Sequence, residues 1–273
     1  MNGLMSMIGN ELQLPVSKRL SANEVKYTNL LSSGIDENIK YTIDWLNTSD
    51  GKKLLSLSPT DEEDFDEYFF SSSLYDGLNE QFQTNSRNAI SPIRGFYQIG
   101  SKLGYEQLGR TLPLMESDVM ARSIVENNCD DIVINLNKES GIGIKDILFA
   151  SLLAGFGTAK INQSILQMPY QPIRGNVGLL KRCEMIARTE YSRSINTGTL
   201  QAYSNVGVTE VDIITTGLSN VCDDCLDLEA NNPYTLQEAM RLLPLHPQCA
   251  CSYQPIPNSM GNNDGEIQIV DLT

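Results

Sequence analysis

A single histidine, His246, and a single tryptophan, Trp45, occur in 273 residues. One imidazole argues against a catalytic zinc, which keeps an open position and draws its ligands from several histidines and carboxylates. Ser-His-Asp or Cys-His catalysis would have to run through His246 itself. Basic residues are outnumbered, with 20 Lys and Arg against 34 Asp and Glu and a formal net charge of −14. So acidic a surface repels phosphate, which argues against tight non-specific duplex binding by the whole protein. Long apolar runs are missing as well. No window reaches the ~18 residues that a bilayer-spanning helix requires, and the longest run, Ile147 to Phe156, is interrupted by Ser151 and Gly155 and reads as a buried helix. The N-terminus lacks a basic start followed by an apolar block, so no secretory signal and no membrane association are expected. The starting expectation is an intracellular product, in which reduced thiols favour metal over disulfides.

What is present is ordinary globular material, 41% hydrophobic and 20% charged, enough for one or two packed domains. Apolar spacing predicts helix over 18–46 through Tyr27, Leu31, Ile39 and Leu46, broken at Gly34. Tyr41 and Trp45 share a second face, in keeping with packing against another segment. Thr60-Asp61-Glu62-Glu63 has the form of a capping box with Thr60 as N-cap, opening a helix that turns Phe65, Tyr68, Phe69 and Tyr75 inward. Residues 76–115 hold Pro92 and several glycines and predict short helices separated by bends. There, Gly100-x-x-x-Gly104 means little outside an apolar transmembrane segment. Residues 117–127 predict a helix, Asp131–Asn135 a brief strand, and Asp146–Met168 a helix stopped by Pro169.

From Asn176 a second informative stretch begins. Leu179, Cys183, Ile186, Glu190 and Ser194 follow one helical stripe, which puts Glu190 on the apolar face. A buried carboxylate requires a partner. Arg188 and Arg193 are the local candidates, and a structural ion pair involving Arg188 and Glu190 is expected rather than a catalytic glutamate. The basic concentration Arg174, Lys181, Arg182, Arg188 and Arg193 reads as a helix face that pairs with acidic segments elsewhere. This helix is expected to pass Gly198 and stop at Gly207, and β-branched residues over 208–216 predict a strand. Thr235-Leu236-Gln237-Glu238 forms another capping box, and Cys251–Ile256 a closing strand followed by a polar tail.

Four of the six cysteines and the only histidine lie between positions 222 and 251. Cys222-x-x-Cys225 grips an ion from one tight turn, and His246-x-x-Cys249-x-Cys251 supplies further ligands from a second. Structural zinc is preferred, since metal binding at such a site supplies ~10–16 kcal/mol of apparent folding free energy. A pair of disulfides requires an oxidising setting, and a redox Cys-x-x-Cys leaves His246 and the second half unexplained. A zinc deaminase pattern fails, because Gln248 stands where that motif needs Glu. Five candidates compete for four positions. Cys249 and Cys251 share a face in an extended segment, and His246 either ligates or donates a hydrogen bond to a thiolate.

The ordered set Ile186-Ala187-Arg188-Thr189-Glu190, a helix to Tyr203, a Gly207-Val208 turn, a strand, Cys222-x-x-Cys225 and Pro244-x-His246-Pro247-x-Cys249-x-Cys251 resembles the phage head morphogenesis domain. This is the minor head protein family typified by the F protein of phage Mu. The resemblance covers about the last third of the chain. It implies a mainly helical α+β protein: a helical N-terminal region over 1–175 that binds the portal or inner capsid surface and a zinc-stabilised head-morphogenesis domain over 176–256; the polar residues that follow predict a flexible tail over 257–273. It further implies a non-enzymatic structural component of the phage head, assembled in the host cytoplasm. The implied partners are the portal protein and the major capsid or scaffold protein, with indirect contact to packaged DNA. By position, Arg188, Glu190, Cys222, Cys225, His246, Cys249 and Cys251 match the family pattern. Ile213 and Ile214 stand where the family often has a tryptophan, Leu218-Ser219-Asn220 where an Asp-x-Arg is common, and Ala250 where Arg is frequent. The alternatives are a toxin-like enzyme, of ADP-ribosyltransferase type, and a zinc-containing nucleic-acid-binding module.

Overall fold

The computed structural model describes residues 21–59, 61–111, 119–171, 177–217 and 221–256. They form a helical bundle joined to a small three-stranded antiparallel sheet near the C-terminus, the mainly helical α+β architecture expected. Helix α1 (Ala22–Leu46) opens with a capping box in which Ser21 and Glu24 satisfy each other's backbone N–H groups. It is followed by the short α2 (Ser49–Leu55), then α3 (Glu62–Phe70) and α4 (Ser73–Gln107). Next come α5 (Val119–Leu153), α6 (Thr158–Gln167) and α7 (Leu179–Asn205).

Several local expectations give way to tertiary packing. Gly34 does not break α1; a Cβ there would stand 2.8 Å from Asn85 Nδ2, so the glycine marks a close approach. The capping residue of α3 is Asp61, whose carboxylate accepts from Asp64 N at 2.9 Å, while Thr60 lies outside the described residues. Phe65 and Phe69 are buried as expected, but Tyr68 faces outward. Residues 76–107 are one continuous helix that runs through Pro92. Its buried face, including Leu78, Phe82, Ala89, Ile93 and Phe96, outweighs the one hydrogen bond that proline removes. The strand expected at Asp131–Asn135 is helix within α5. There Val133 shares a buried stripe with Leu136, Ile144 and Leu148, and packing of that stripe overrides β-branched propensity. The helix expected over 146–168 is two, parted by Gly155 at φ +65°.

The bundle has a polar seam in its core. Asn137 Oδ1 accepts from Asn38 Nδ2 at 2.8 Å and from Asn85 Nδ2 at 3.1 Å, tying α1, α4 and α5 in one register. Asn38 Nδ2 also donates to Ser140 Oγ at 3.0 Å. Such a seam contributes specificity more than stability, since a slipped register would strand buried amides. Trp45 packs as anticipated, its indole N–H donating to Ser73 Oγ at 3.2 Å.

Helix α7 belongs to both parts of the molecule. Leu179, Cys183 and Ala187 lie in the bundle core, whereas Leu200 and Tyr203 lie in the core around the sheet. Opposite α4 it approaches backbone to backbone. A Cβ on Gly100 would stand 2.1 Å from Ile195 O, and one on Gly198 would stand 2.2 Å from Tyr97 O. The Gly100-x-x-x-Gly104 spacing therefore does carry meaning here, as the groove that receives α7, and Thr199 Oγ1 donates to Gly100 O at 3.0 Å across it. The helix stops where expected, with Gly207 at φ +78° and Val208 N returning to Tyr203 O at 3.0 Å.

Strand β1 (Glu210–Ile214) is central, flanked by β2 (Tyr234–Thr235) and β3 (Ser252–Pro255). Val211 and Ile213 point into the core. Where β2 is too short to continue the ladder, side chains replace it. Asn232 both accepts from Ile213 N at 2.8 Å and donates to Ile213 O at 2.9 Å, and Glu229 accepts from Thr215 N at 2.9 Å. Helix α8 (Asp223–Ala230) and the short α9 (Leu236–Ala239) complete this unit, α9 opening with the expected Thr235–Glu238 capping box. Residues 172–176 and 257–273, which hold the end of the N-terminal region and the tail, lie outside the described residues. Among the described residues no helix is long and apolar enough to cross a membrane.

Candidate metal centre

The five sequence-predicted ligands come together. Cys222 is the N-cap of α8 and Cys225 lies in its first turn, so one helix start presents both sulfurs. The remaining three sit on the segment between α9 and β3. His246 Nδ1 lies 2.9 Å from the Pro247 carbonyl. A carbonyl only accepts, so Nδ1 carries the proton and Nε2 is left to face the sulfurs. It lies 3.2 Å from Cys222 Sγ and 3.3 Å from Cys225 Sγ. Cys225 Sγ is in turn 3.9 Å from Cys249 Sγ. Two groups of three ligand atoms result, Cys222, Cys225 and His246 in one and Cys225, Cys249 and Cys251 in the other, with Cys225 common to both.

Metal–ligand distances of about 2.0–2.3 Å at tetrahedral angles place ligand atoms about 3.5–3.8 Å apart. The spacings of 3.2, 3.3 and 3.9 Å bracket that range, and soft thiolate and imidazole donors suit a borderline-soft divalent ion. The cluster can bind a metal. Its electrostatics agree with mutual stabilisation. The Cys251 thiol beside Cys249 draws the latter's pKa down to about 5, while burial pushes Cys225 up to about 12. Cys222 is lowered by the Cys225 backbone N–H at the helix start, with His246 adding to the effect. Cys251 is raised, chiefly by its contact with Cys249, and His246 is raised by the Pro247 carbonyl that holds its proton. Crowded, buried thiols resist ionising together, and a divalent cation would relieve that by stabilising the thiolates.

Helix α7 forms the wall behind the second ligand turn. Gln248 occupies the left-handed region at φ 65°, a conformation that a non-glycine residue adopts only when its surroundings hold it there. Thr189 Oγ1 accepts from Gln248 N at 2.9 Å. Asn196 Nδ2 donates to the Cys251 carbonyl at 3.0 Å, and Tyr203 OH donates to the Tyr253 carbonyl at 3.2 Å. These three helix residues recur at intervals of two turns, about 10.5 Å along the axis. The chain from Gln248 to Tyr253 thus lies along one face of α7. Neither Asn196 nor Tyr203 is a cluster residue by composition, and only their heptad spacing from Thr189 signals a common face.

The pair expected between Arg188 and Glu190 is not the one formed. Residues two apart on a helix point to opposite sides, whereas residues three apart are neighbours. Accordingly, Glu190 Oε1 takes Arg193 Nε at 3.1 Å, and Arg188 Nε reaches Glu24 Oε1 on α1 at 3.3 Å. Glu190 is buried on the predicted stripe, with 1% exposure. Burial raises its pKa and Arg193 pulls it partly back. Of the basic concentration, Arg182 and Arg188 pair with acids on other helices, Glu139 and Glu24, as anticipated, whereas Lys181 pairs with Glu184 at 2.5 Å and Arg193 with Glu190 within α7 itself. Arg174 lies outside the described residues, as do Leu218-Ser219-Asn220.

Set beside known proteins, the chain matches no family model, no curated protein and no solved structure.

Proposed function

We propose that this chain is a structural minor head protein of a tailed phage, acting with the portal in head assembly or genome delivery, and that a zinc ion closes its C-terminal unit. The observation that carries the reading is the hydrogen bond from Gln248 N to Thr189 Oγ1. The family resemblance rests on short motifs that are individually weak, and this contact joins the Arg-Thr-Glu segment to the His-Pro-x-Cys segment across 59 positions of chain. That supports treating them as parts of one site. Zinc is favoured because closed sites of three or four sulfur and imidazole ligands suit it. Ligands drawn from Cys222, Cys225, His246, Cys249 and Cys251, with Cys225 common to both groups, would hold it in four-fold coordination, and its chemistry there is structural, tying the start of α8 to the entry of β3. The burial of Glu190 beneath an arginine favours an architectural over an enzymatic role for the Arg-Thr-Glu segment.

Portal attachment is assigned to the helical region. Leu153 and Phe156 at the turn from α5 into α6, Leu166 in the last turn of α6 and Tyr170 just beyond it remain exposed, apolar side chains of the kind that partner proteins cover. Co-expression of the tagged chain with the portal protein encoded in the same genome tests the reading. The portal ring is expected to co-purify, and the chain to be found in procapsids. A chain that never enters procapsids and ignores the portal would overturn it.

A further inference from the structure

We propose that Thr189 and Asn196 are the positioning residues of the metal centre, so that α7 sets its affinity and links its occupancy to the helical bundle. The inference rests on the metal reading above, and not on the phage assignment.

The ligand turn His246–Cys251 contains no regular secondary structure of its own. Its backbone must nonetheless hold His246, Cys249 and Cys251 at fixed spacing, and it does so with Gln248 at φ 65°. An unsupported turn would spend part of its time in other conformations, and each binding event would then cost the free energy of restoring the ligand geometry. Two side chains of α7 remove that freedom on either side of Cys249. The Thr189 hydroxyl accepts the N–H of Gln248, the residue immediately before Cys249, and donates its own proton to Met185 O at 2.7 Å. With both hydroxyl functions engaged, the hydroxyl orientation is fixed. Asn196 is buried at 4% exposure and grips the carbonyl of Cys251, itself the ligand that follows Cys249. Neither side chain is a metal ligand. Both act through the backbone, which is the usual function of groups just outside a metal's coordination sphere.

The same helix carries Leu179, Cys183 and Ala187 into the bundle core and locks into α4 at Gly198. The turn is therefore referenced to a rigid element anchored far from the metal. Contacts outside the coordination sphere typically alter metal affinity by about 10–100-fold when removed.

The test uses the full chain loaded with zinc and titrated against a chromophoric chelator, with Co²⁺ substitution as a spectroscopic readout. Thr189→Val keeps the shape and deletes the hydroxyl, and Asn196→Leu deletes the donor at similar volume. Each is expected to weaken zinc binding by about 10–100-fold and to shift or broaden the Co²⁺ ligand-field bands. Far-ultraviolet circular dichroism of the helices should persist, and Thr189→Ser should restore parental affinity. Unchanged affinity and spectra in both folded variants overturn the inference. If the parent chain itself, purified under reducing conditions, carries no metal and takes up none, the metal reading fails first and this inference with it. That outcome is seen before any variant is made.

Discussion

Adding one methyl group at Gly198 separates the tertiary role of that residue from its local one. By helix propensity alone, Gly198→Ala within α7 would stabilise the protein by about 0.5–1 kcal/mol. The structure reverses the sign. A Cβ would stand 2.2 Å from Tyr97 O and 2.7 Å from Ser101 N, against the 3.4 Å at which ordinary contact begins. Both obstacles are backbone atoms of α4, so no side chain can swing aside and the helices must part by about 1 Å. Overpacking of this kind costs ~1–3 kcal/mol. Parting the helices also stretches the Thr199–Gly100 hydrogen bond from 3.0 Å beyond bonding range, worth a further ~0.5–1.5 kcal/mol. After the propensity gain, a net loss of ~1–3.5 kcal/mol remains, a fall in Tm of roughly 2–14 °C for a chain of this length. Gly95→Ala is the control. It lies in the middle of α4 with nothing within 4 Å of its Cβ position, and should stabilise by ~0.5–1 kcal/mol. Thermal scans of both variants, followed by circular dichroism in the presence of metal, decide the matter. A Gly198→Ala protein as stable as Gly95→Ala would refute the close helix approach.

Other expectations follow from the same contacts. Cys225→Ser should abolish metal binding, since that sulfur belongs to both ligand groups; elemental analysis showing a full equivalent retained would contradict the geometry. Lys145 is 1% exposed and lies 2.5 Å from Asp66, 2.9 Å from Glu62 and 3.1 Å from Asp146. Burial alone would lower its pKa, but the three carboxylates prevail and raise it. The resulting stability is complete below the ordinary lysine value of about 10.4 and is lost as pH climbs through the raised folded value. Lys145→Met should cost ~1–3 kcal/mol near neutrality, less than a fully buried pair because Glu62 and Asp66 are solvent-accessible. The gap to the parent should close in alkali, and a gap independent of pH would count against the ion cluster. Glu190, with its raised pKa, contributes stability that is complete below about pH 4.3 and is lost as pH rises through the folded value. Parent stability should therefore gain on Glu190→Gln as pH falls from about 7 to about 4, and drift in the opposite sense would disprove the buried placement.

Much of the candidate metal centre is legible in the residues themselves. Thiols at C-x-x-C spacing share a turn whatever surrounds them, and the lone histidine lies three residues before a further cysteine. The second capping box, the Gly207 stop, the strand after it and the buried stripe through Leu179, Cys183 and Glu190 were equally local. Each depends on interactions within a few positions of chain. Matching charges at 188 and 190 do not make a pair, because residues two apart on a helix point to opposite sides.

Local signals determined where elements begin and end, and which residues carry soft ligands. Tertiary structure decided what local signals could not. Burial of Val133 turned a β-branched run into helix, and a continuous apolar face carried α4 through Pro92. Gly100 and Gly198, each unremarkable in sequence, acquired meaning only when α4 met α7 with no room for a side chain. The Thr189, Asn196 and Tyr203 stripe depends on a ligand turn and strand that arrive 50 to 59 residues later. The physical reason is one of range. Propensity, capping and ligand spacing act along the chain, while burial, close approach and ion pairing act across it and are settled only when distant segments pack.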